Sequence, residues 1–197
     1  MMRFANLFLI FFMISSCSSR GERQAIQLED SLKLEYLQLG EEIASQAHAE
    51  LLKNVSMAIN KGGPVYAIDF CNVRALPLKD SLSRLHNCQI RRISAKYRNP
   101  ADRPQSEMEK DLLQQFHLAW QDGGSIQPEV YFFDDRVEYY QAITIAMEAC
   151  LKCHGDPGKQ IAEETLARIN ALYPNDLATG YAMNDIRGAW KITFIKQ

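Results

Sequence analysis

Two cysteines and a histidine stand close together in the last third of the chain, where residues 150–154 read C-L-K-C-H. On a helical turn, the two intervening residues place both thiols on one side, where they can add to the two vinyl groups of a haem. The adjacent imidazole of His154 can then ligate the iron. The motif therefore predicts one covalently attached haem c, held by Cys150, Cys153 and His154.

Two other interpretations of this cysteine pair are weaker. A thioredoxin-type redox pair normally opens a helix within a βαβ unit, and the sequence around residue 150 shows no such unit. A zinc site needs four ligands, and the sequence contains no second C-x-x-C and no H-x-x-x-H. The spacing thus favours covalent haem attachment.

The histidine of the motif leaves the opposite axial position of the iron to be filled. Thiol, imidazole and thioether donors all occur in the chain, and the residue types alone do not choose among them. Cys71 is distinctive because it occupies an apolar helical position and has no evident disulfide partner. The candidates are Cys71, Cys88, His48, His86, His117, Met57, Met108, Met147 and Met183.

The N-terminus has the pattern of an export signal. Arg3 precedes an apolar run over residues 5–14, and two serines lead to Cys17. The run is too short to span a bilayer and ends at small residues, as a cleaved signal peptide does. A cysteine at this point resembles the bacterial lipobox, so residues 1–16 are predicted to be a lipoprotein signal peptide and Cys17 the lipid anchor. An ordinary signal peptide with a chance cysteine is the alternative.

This pattern predicts a protein on the periplasmic side of a bacterial membrane, tethered by its N-terminal lipid. Ser18 and Ser19 stand where Asp would indicate inner-membrane retention, so the outer membrane is favoured. The compartment is oxidising, and each free cysteine needs an explanation there. Cys88 is either a semi-buried thiol or the site of an intermolecular disulfide.

The composition is that of a folded globular protein. Of the 197 residues, 47% are hydrophobic and 23% are charged, which excludes disordered and collagen-like architectures. The net charge is −2 and no basic run exceeds Arg91-Arg92, so nucleic acid is not an expected partner. No acid–base constellation accompanies the cysteine motif, and we expect no enzymatic activity.

The spacing of apolar residues predicts the helices that position the candidate ligands, beginning with the N-terminal part of the chain. Apolar residues recur every three or four positions over residues 21–60, which predicts one long helix, or two stacked end to end, stopping at Gly62-Gly63. A second helix begins at Pro64 and carries Cys71 on its buried face. Pro77 should kink or end the first part of that helix.

The remainder of the chain combines strands and helices. Strands are predicted at residues 89–97, 129–133, 137–145 and 186–194, with a hairpin between the second and third. Helices are predicted from the cap at Ser106 to Asp122, and over residues 161–172. The fold class is α+β, a mainly antiparallel sheet with flanking helices after a long N-terminal helix. The predicted parts are the signal peptide at 1–16, an anchor and long helix at 17–63, and a haem domain at 64–197.

Five separated stretches also carry a family resemblance. They are AIDFC at 67–71, RRIS at 91–94 with YRNP at 97–100, CLKCHG at 150–155, YPNDLATGY at 173–181 and DIRGA at 185–189. In this order, from about Glu42 onwards, they resemble the Tll-type haem domains, single-haem c-type domains with a PAS-like fold that occur alone and as sensor modules. The resemblance implies that the domain at 64–197 is PAS-like and that Cys71 is the axial ligand opposite His154. The sequence departs from the family at Asn184, where Gly is usual.

Two arginines lie within the resembling stretches. A guanidinium can pair with a haem propionate through two parallel hydrogen bonds, which makes Arg98 and Arg187 candidate cofactor-binding residues. Each can equally be a surface charge or a residue that braces a loop.

Ligation by a thiolate would determine the chemistry of the iron. A thiolate donates electron density and stabilises ferric iron, so we expect a low reduction potential. Protonation on reduction can release the sulfur and open a site for a small diatomic such as nitric oxide. We therefore expect a haem-based redox or gas sensor that acts on a separate signalling partner. A membrane-tethered electron-transfer cytochrome with its own redox partner is the alternative.

Overall fold

The computed structural model describes residues 18–196, except for the side chains of residues 18–23, 25 and 72–80. The predicted signal peptide and Cys17 lie outside these residues and stay predictions, as do the predicted domain boundaries. The chain forms two units, Met1–Leu34 and Glu35–Gln197. Residues 18–34 of the first unit are helical, and the second unit contains the sheet and the cysteine motif. Among the described helices, none is long and apolar enough to cross a membrane.

The first helix, α1, extends over Ser18–Leu85 and is broken once. At Gly62 and Gly63 the backbone leaves helical geometry, and Gly63 has a φ of +74°, which residues with a Cβ rarely adopt. The predicted interruption at this glycine pair is confirmed. Of the two outcomes expected at Pro77, a kink or an end of the helix, the end is wrong, because the helical backbone continues to Leu85. A proline removes one backbone donor, and a helix with intact turns on both sides can carry that loss.

Four strands form one sheet: β1 (Gln89–Ile93), β2 (Glu129–Phe132), β3 (Arg136–Thr144) and β4 (Ile186–Ile195). All pairings are antiparallel, in the spatial order β1-β4-β3-β2, and the predicted hairpin of β2 and β3 is confirmed. β1 ends before its predicted end at Tyr97. The chain turns away there because the Ser94 N–H donates to the Asp102 carbonyl oxygen, 2.9 Å away.

Three shorter helices flank the sheet: α2 (Glu107–Gln121), α3 (Glu148–His154) and α4 (Glu163–Leu172). Ser106 caps α2 as predicted, because its hydroxyl accepts a hydrogen bond from the Glu109 N–H at 3.2 Å. A long first helix, an antiparallel sheet and flanking helices make up the predicted α+β architecture.

Different helices cover the two faces of the sheet. Tyr139 and Tyr140 are consecutive in β3, so their side chains point to opposite faces, and both are fully buried. Tyr139 packs in one cluster with Ile43 of α1. Tyr140 packs in another with Leu112 and Phe116 of α2. The sheet is therefore enclosed between α1 and α2.

Buried charges connect α2 to the sheet. Lys191 Nζ lies 2.8 Å from Glu109 Oε1 and 2.9 Å from Glu138 Oε1, and all three side chains are largely shielded from solvent. Burial alone would raise the pKa of Glu138, but the hydrogen bonds it accepts, chiefly from Lys191 and Tyr140, outweigh burial and lower that pKa. The carboxylate stays ionised next to the ammonium group that compensates it.

Asn184 lies in the turn before β4 and has a φ of +67°. Asn adopts this left-handed conformation more readily than most residues with a side chain, so the turn forms without the glycine that the family resemblance would lead one to expect. The Asn184 N–H donates to the Ile145 carbonyl, and the Ile145 N–H donates to the Asp185 carbonyl, each at 2.9 Å. These two bonds join the end of β3 to the start of β4.

Replacing Gly40 by Ala should destabilise the fold, although Ala is the better helix former. A Cβ at position 40 would lie 2.2 Å from Cγ of the fully buried Tyr139 ring. Overpacking of this kind costs about 1–3 kcal/mol, against the roughly 1 kcal/mol that Ala gains over Gly in a helix. Chemical denaturation should show a lower free energy of unfolding for Gly40→Ala but not for the exposed control Ser45→Ala. A Gly40→Ala protein as stable as the wild type would contradict this close approach.

Candidate functional site

The cysteine motif faces a cavity. The cavity is bounded by α1, the end of β1, the end of β3, α3 and the start of β4, and many of its other lining residues are apolar, among them Leu51 and Phe70. All the residues predicted to bind the cofactor line it: Cys71, Arg98, Cys150, Cys153, His154 and Arg187. The structure thus brings together residues that are up to 116 positions apart in the sequence, from 71 to 187.

The imidazole of His154 is held in one tautomer. Its Nδ1 lies 2.8 Å from the Ala178 carbonyl oxygen, which can only accept, so Nδ1 carries the proton and Nε2 keeps a lone pair for a metal ion. The ring also packs edge to face with Tyr181, with centroids 6.2 Å apart. Burial lowers the pKa of His154 well below its usual value, and the charges of Arg187 and Arg98 lower it further. The imidazole is therefore neutral at neutral pH, as a metal ligand must be.

Cys71 reaches the cavity from the second segment of α1, and its side chain is partly buried. Burial raises the pKa of its thiol, while the positive charges of Arg92 and Arg98 act in the opposite direction. Without a bound metal ion, the Cys71 side chain is therefore a protonated thiol. A bound metal ion would displace that proton and hold the thiolate.

The turn of α1 that carries Cys71 is fixed to α4. Asp69 Oδ1 accepts a hydrogen bond from Arg168 Nε at 2.6 Å. The neighbouring Ile68 is buried and packs in one cluster with Ile169. A polar and an apolar contact on consecutive residues therefore determine where the Cys71 side chain points.

Among the other described candidates for the second axial position, only His48 lines the cavity. Cys88 is buried in the core that α1 forms with the sheet, and His86 is hydrogen-bonded to Gln46 at 2.9 Å. His117 is exposed on α2. The lining residues of the cavity do not include Met57, Met108, Met147 or Met183.

Arg98 braces the loop around the motif. Its Nε and Nη2 donate to the two carboxylate oxygens of Asp176, at 3.2 and 3.0 Å, and both side chains are nearly buried. Nη2 also donates to the Cys153 carbonyl at 2.7 Å and to the Ala178 carbonyl at 3.4 Å. These contacts favour the loop-bracing interpretation of Arg98 over pairing with a propionate.

Arg187 is placed differently. Its Nη1 donates to Ser94 Oγ at 2.8 Å and to the Lys96 carbonyl at 3.1 Å, but its buried Nε has no hydrogen-bond partner among the described residues. Burial lowers the pKa of this guanidinium. A buried N–H donor without a partner costs stability, so an anionic group at this point of the cavity wall would be bound favourably.

Three residues of the site have roles that were not predicted from the sequence. Asp176, Ala178 and Tyr181 hold Arg98 and His154 in place, and they belong to the stretch 173–181 that carries part of the family resemblance. The resemblance of this stretch to the family is a signal that the loop is functionally important. It does not reveal the role of Ala178, because that role belongs to a backbone carbonyl.

The side chains present fit a covalently attached haem. Two thiols, a neutral imidazole with a free nitrogen and a further sulfur are the donors that such a group uses, and Arg187 offers an unpaired cationic donor for its carboxylates. In the described part of the chain, this cavity included, no three His, Cys, Asp or Glu side chains are placed to hold a metal ion by themselves, so the donors suit a group that spans the cavity rather than a bare ion. Fold and site together define an α+β domain with a cavity whose side chains fit a haem.

The chain belongs to the Tll0287-like family, whose model matches residues 20–194. A solved structure with the same fold is that of the cyanobacterial heme-protein Tll0287, with a TM-score of 0.58 and 21% sequence identity. The match covers 83% of this chain and 94% of that chain. The comparison with curated proteins gave no match. The resemblance to Tll-type haem domains predicted from the five stretches is confirmed.

Replacing Arg98 by Gln should strongly destabilise the protein, because it leaves the buried carboxylate of Asp176 without its cation. Removing one partner of a buried pair costs about 3–5 kcal/mol. Denaturation of the purified full chain at pH 7 measures this loss. Arg91→Gln is the matched control, since Arg91 makes its contacts near the surface and should cost no more than about 1 kcal/mol. Equal losses for both variants would show that Arg98 does not brace the loop.

Cys88 should be inert in the folded protein. Burial raises the pKa of its thiol to about 11, so at pH 8 only about one molecule in a thousand carries the reactive thiolate. Alkylation at pH 8 followed by peptide mass spectrometry should modify Cys88 only after denaturant is added. Rapid alkylation of the native protein, or a dimer on a non-reducing gel that Cys88→Ala abolishes, would instead support the intermolecular disulfide.

Proposed function

We propose that this chain is an exported, lipid-anchored c-type haem protein that acts as a haem-based redox or gas sensor. Cys150 and Cys153 tether one haem, and His154 and Cys71 are its axial ligands. The observation that carries this proposal is that Cys71, from α1, lines the same cavity as the attachment motif on α3. Membership of the Tll0287-like family and the likeness to the heme-protein Tll0287 support haem as the cofactor.

The bound haem supplies a redox-active iron, and the protein supplies the environment of that iron. His154 presents a neutral Nε2, because its Nδ1 proton is committed to Ala178. Cys71 presents a sulfur whose proton affinity is raised by burial, so the thiol form is readily accessible if its bond to a metal weakens. Arg187 provides charge for an acidic substituent. We therefore expect Cys71 to be released from the iron more easily than His154.

A sensing role is supported by the way in which Cys71 is attached to the fold. The residue lies on α1 eight positions after the break at Gly63, and its turn contacts α4 through Asp69 and Ile68. A change at the Cys71 sulfur therefore acts directly on a helix and on the packing of that helix against a second one. A plain electron carrier has no need of such a connection.

Electron transfer is the second candidate function. Cys150 and Cys153 are only partly buried, so a group attached to them reaches the protein surface, where electrons can be exchanged. The rigid hydrogen-bond network around His154 also keeps the structural change that accompanies electron transfer small.

Under either function we propose that the protein is located on the periplasmic side of the membrane, with the outer membrane favoured. We also propose that it is anchored through Cys17 and acts with a separate redox or signalling partner. We propose neither enzymatic activity nor nucleic-acid binding.

Replacing Cys71 by Ser should change the ferric absorption and EPR spectra and raise the reduction potential, because a serine does not donate charge to iron as a thiolate does. The protein must be produced in cells that mature c-type cytochromes, and Cys88→Ser is the matched control that should leave both quantities unchanged. Unaltered spectra of Cys71→Ser would refute His154/Cys71 ligation.

Measurements on the reduced and oxidised wild-type protein distinguish the two functions. A sensor should lose its thiolate spectrum or bind carbon monoxide or nitric oxide when reduced. A carrier should keep the same axial ligands in both oxidation states. A preparation without covalently bound haem would refute both.

A further inference from the structure

A second imidazole faces the same cavity. His48 lies on the first segment of α1, and it lines the cavity together with Leu51, Leu52, Asn54 and Val55 of that segment. The side chain is partly buried. The Asn54 amide donates hydrogen bonds within its own helix, whereas the His48 ring nitrogens have no hydrogen-bond partner among the described residues.

The imidazole of His48 is free to act as a donor to a ligand. It makes no hydrogen bond to any of the described residues, in contrast to His86, which is paired with Gln46, and His154, which is paired with Ala178. Burial lowers the pKa of His48, so its ring is neutral at neutral pH and keeps a nitrogen lone pair.

Few other side chains of the cavity can donate to iron. Cys150, Cys153 and His154 are used by the attachment motif, which leaves Cys71 and His48 among the described nitrogen and sulfur donors. The phenol of Tyr173 also lines the cavity, but burial raises its pKa, and a protonated phenol is a poor ligand. Two replaceable donors therefore face one site.

Resting on the proposed function, we propose that His48 is an alternative axial ligand, which binds the iron opposite His154 when the Cys71 sulfur has left. In the exchange the bond to sulfur would break, the sulfur would keep its electron pair and take a proton from water, leaving hydroxide in the solvent, and the lone pair of a His48 nitrogen would form the new bond. No electron moves in this step. The two donors lie on the two segments of α1, on opposite sides of the Gly62-Gly63 break.

The exchange has a consequence for the signal. Replacing an anionic sulfur by a neutral nitrogen favours ferrous iron, so loss of Cys71 and capture by His48 stabilise the reduced state together. His48 also competes with any diatomic ligand for the same position. The protein would then respond to its redox state by exchanging ligands, and gases would bind the reduced form only weakly.

The first test compares three haem-loaded proteins, Cys71→Ser, Cys71→Ser/His48→Leu and Cys71→Ser/His117→Leu, by absorption and EPR spectroscopy. Cys71→Ser should be low-spin with two imidazole ligands, and adding His48→Leu should convert it to a high-spin form. His117 is exposed on α2, so adding His117→Leu should change nothing. A high-spin spectrum already in Cys71→Ser, insensitive to His48→Leu, would overturn the proposal.

The second test keeps Cys71 and therefore does not depend on how that variant folds. In dithionite-reduced wild-type protein, the rate of carbon monoxide binding should level off as its concentration rises, because His48 must first dissociate. The single variant His48→Leu should bind it about tenfold faster or more, with a rate that stays proportional to concentration. Equal rates in both proteins would refute capture by His48. A ferric wild type without a thiolate signature would refute the proposed function instead, so the two failures are distinguishable.

Discussion

The buried pair of Arg98 and Asp176 is the interaction on which the geometry of the site depends. The two side chains are only 11% and 4% exposed, so each would be strongly unfavourable without the other. Arg98 also donates hydrogen bonds to the carbonyls of Cys153 and Ala178, and Asp176 accepts a further hydrogen bond from the Ala178 N–H. One ion pair thereby fixes the end of α3 and the carbonyl that orients His154.

The opposite side of the cavity is held by separate contacts. Cys71 follows Ile68 and Asp69, which contact α4, and none of these contacts involves Arg98. His48 belongs to a third region, the α1 segment whose Ile43 packs on the sheet. Because each of the three donors is positioned by a different set of interactions, a displacement of one leaves the others in place. This independence is what a site needs if it is to exchange one ligand without losing the cofactor.

Structural features that depend on a local sequence pattern could be predicted from the sequence. The glycine pair that interrupts α1, the cap at Ser106, the hairpin and the antiparallel α+β class all follow from short-range rules. The roles of Arg98 and Arg187 did not follow, because identical guanidinium groups differ only in which distant carboxylate or hydroxyl reaches them. The buried ion pairs of Lys191 with Glu109 and Glu138 could not be predicted either. These three charged residues on α2, β3 and β4 look like surface residues until the pairing of the strands is known. The early end of β1 was missed because a bond to Asp102 competes with the strand.

The three thiols of the cavity lie close enough to influence one another, and burial raises the pKa of Cys153 to about 11. Burial also raises the pKa of Cys71. Disulfide formation proceeds through a thiolate, so the raised pKa values of Cys71 and Cys153 slow the oxidation of these two thiols. A disulfide between Cys71 and Cys153 would remove two of the sulfurs that the proposed haem centre uses. Burial within the cavity thus protects, in the folded chain, the thiols that the proposed cofactor would need.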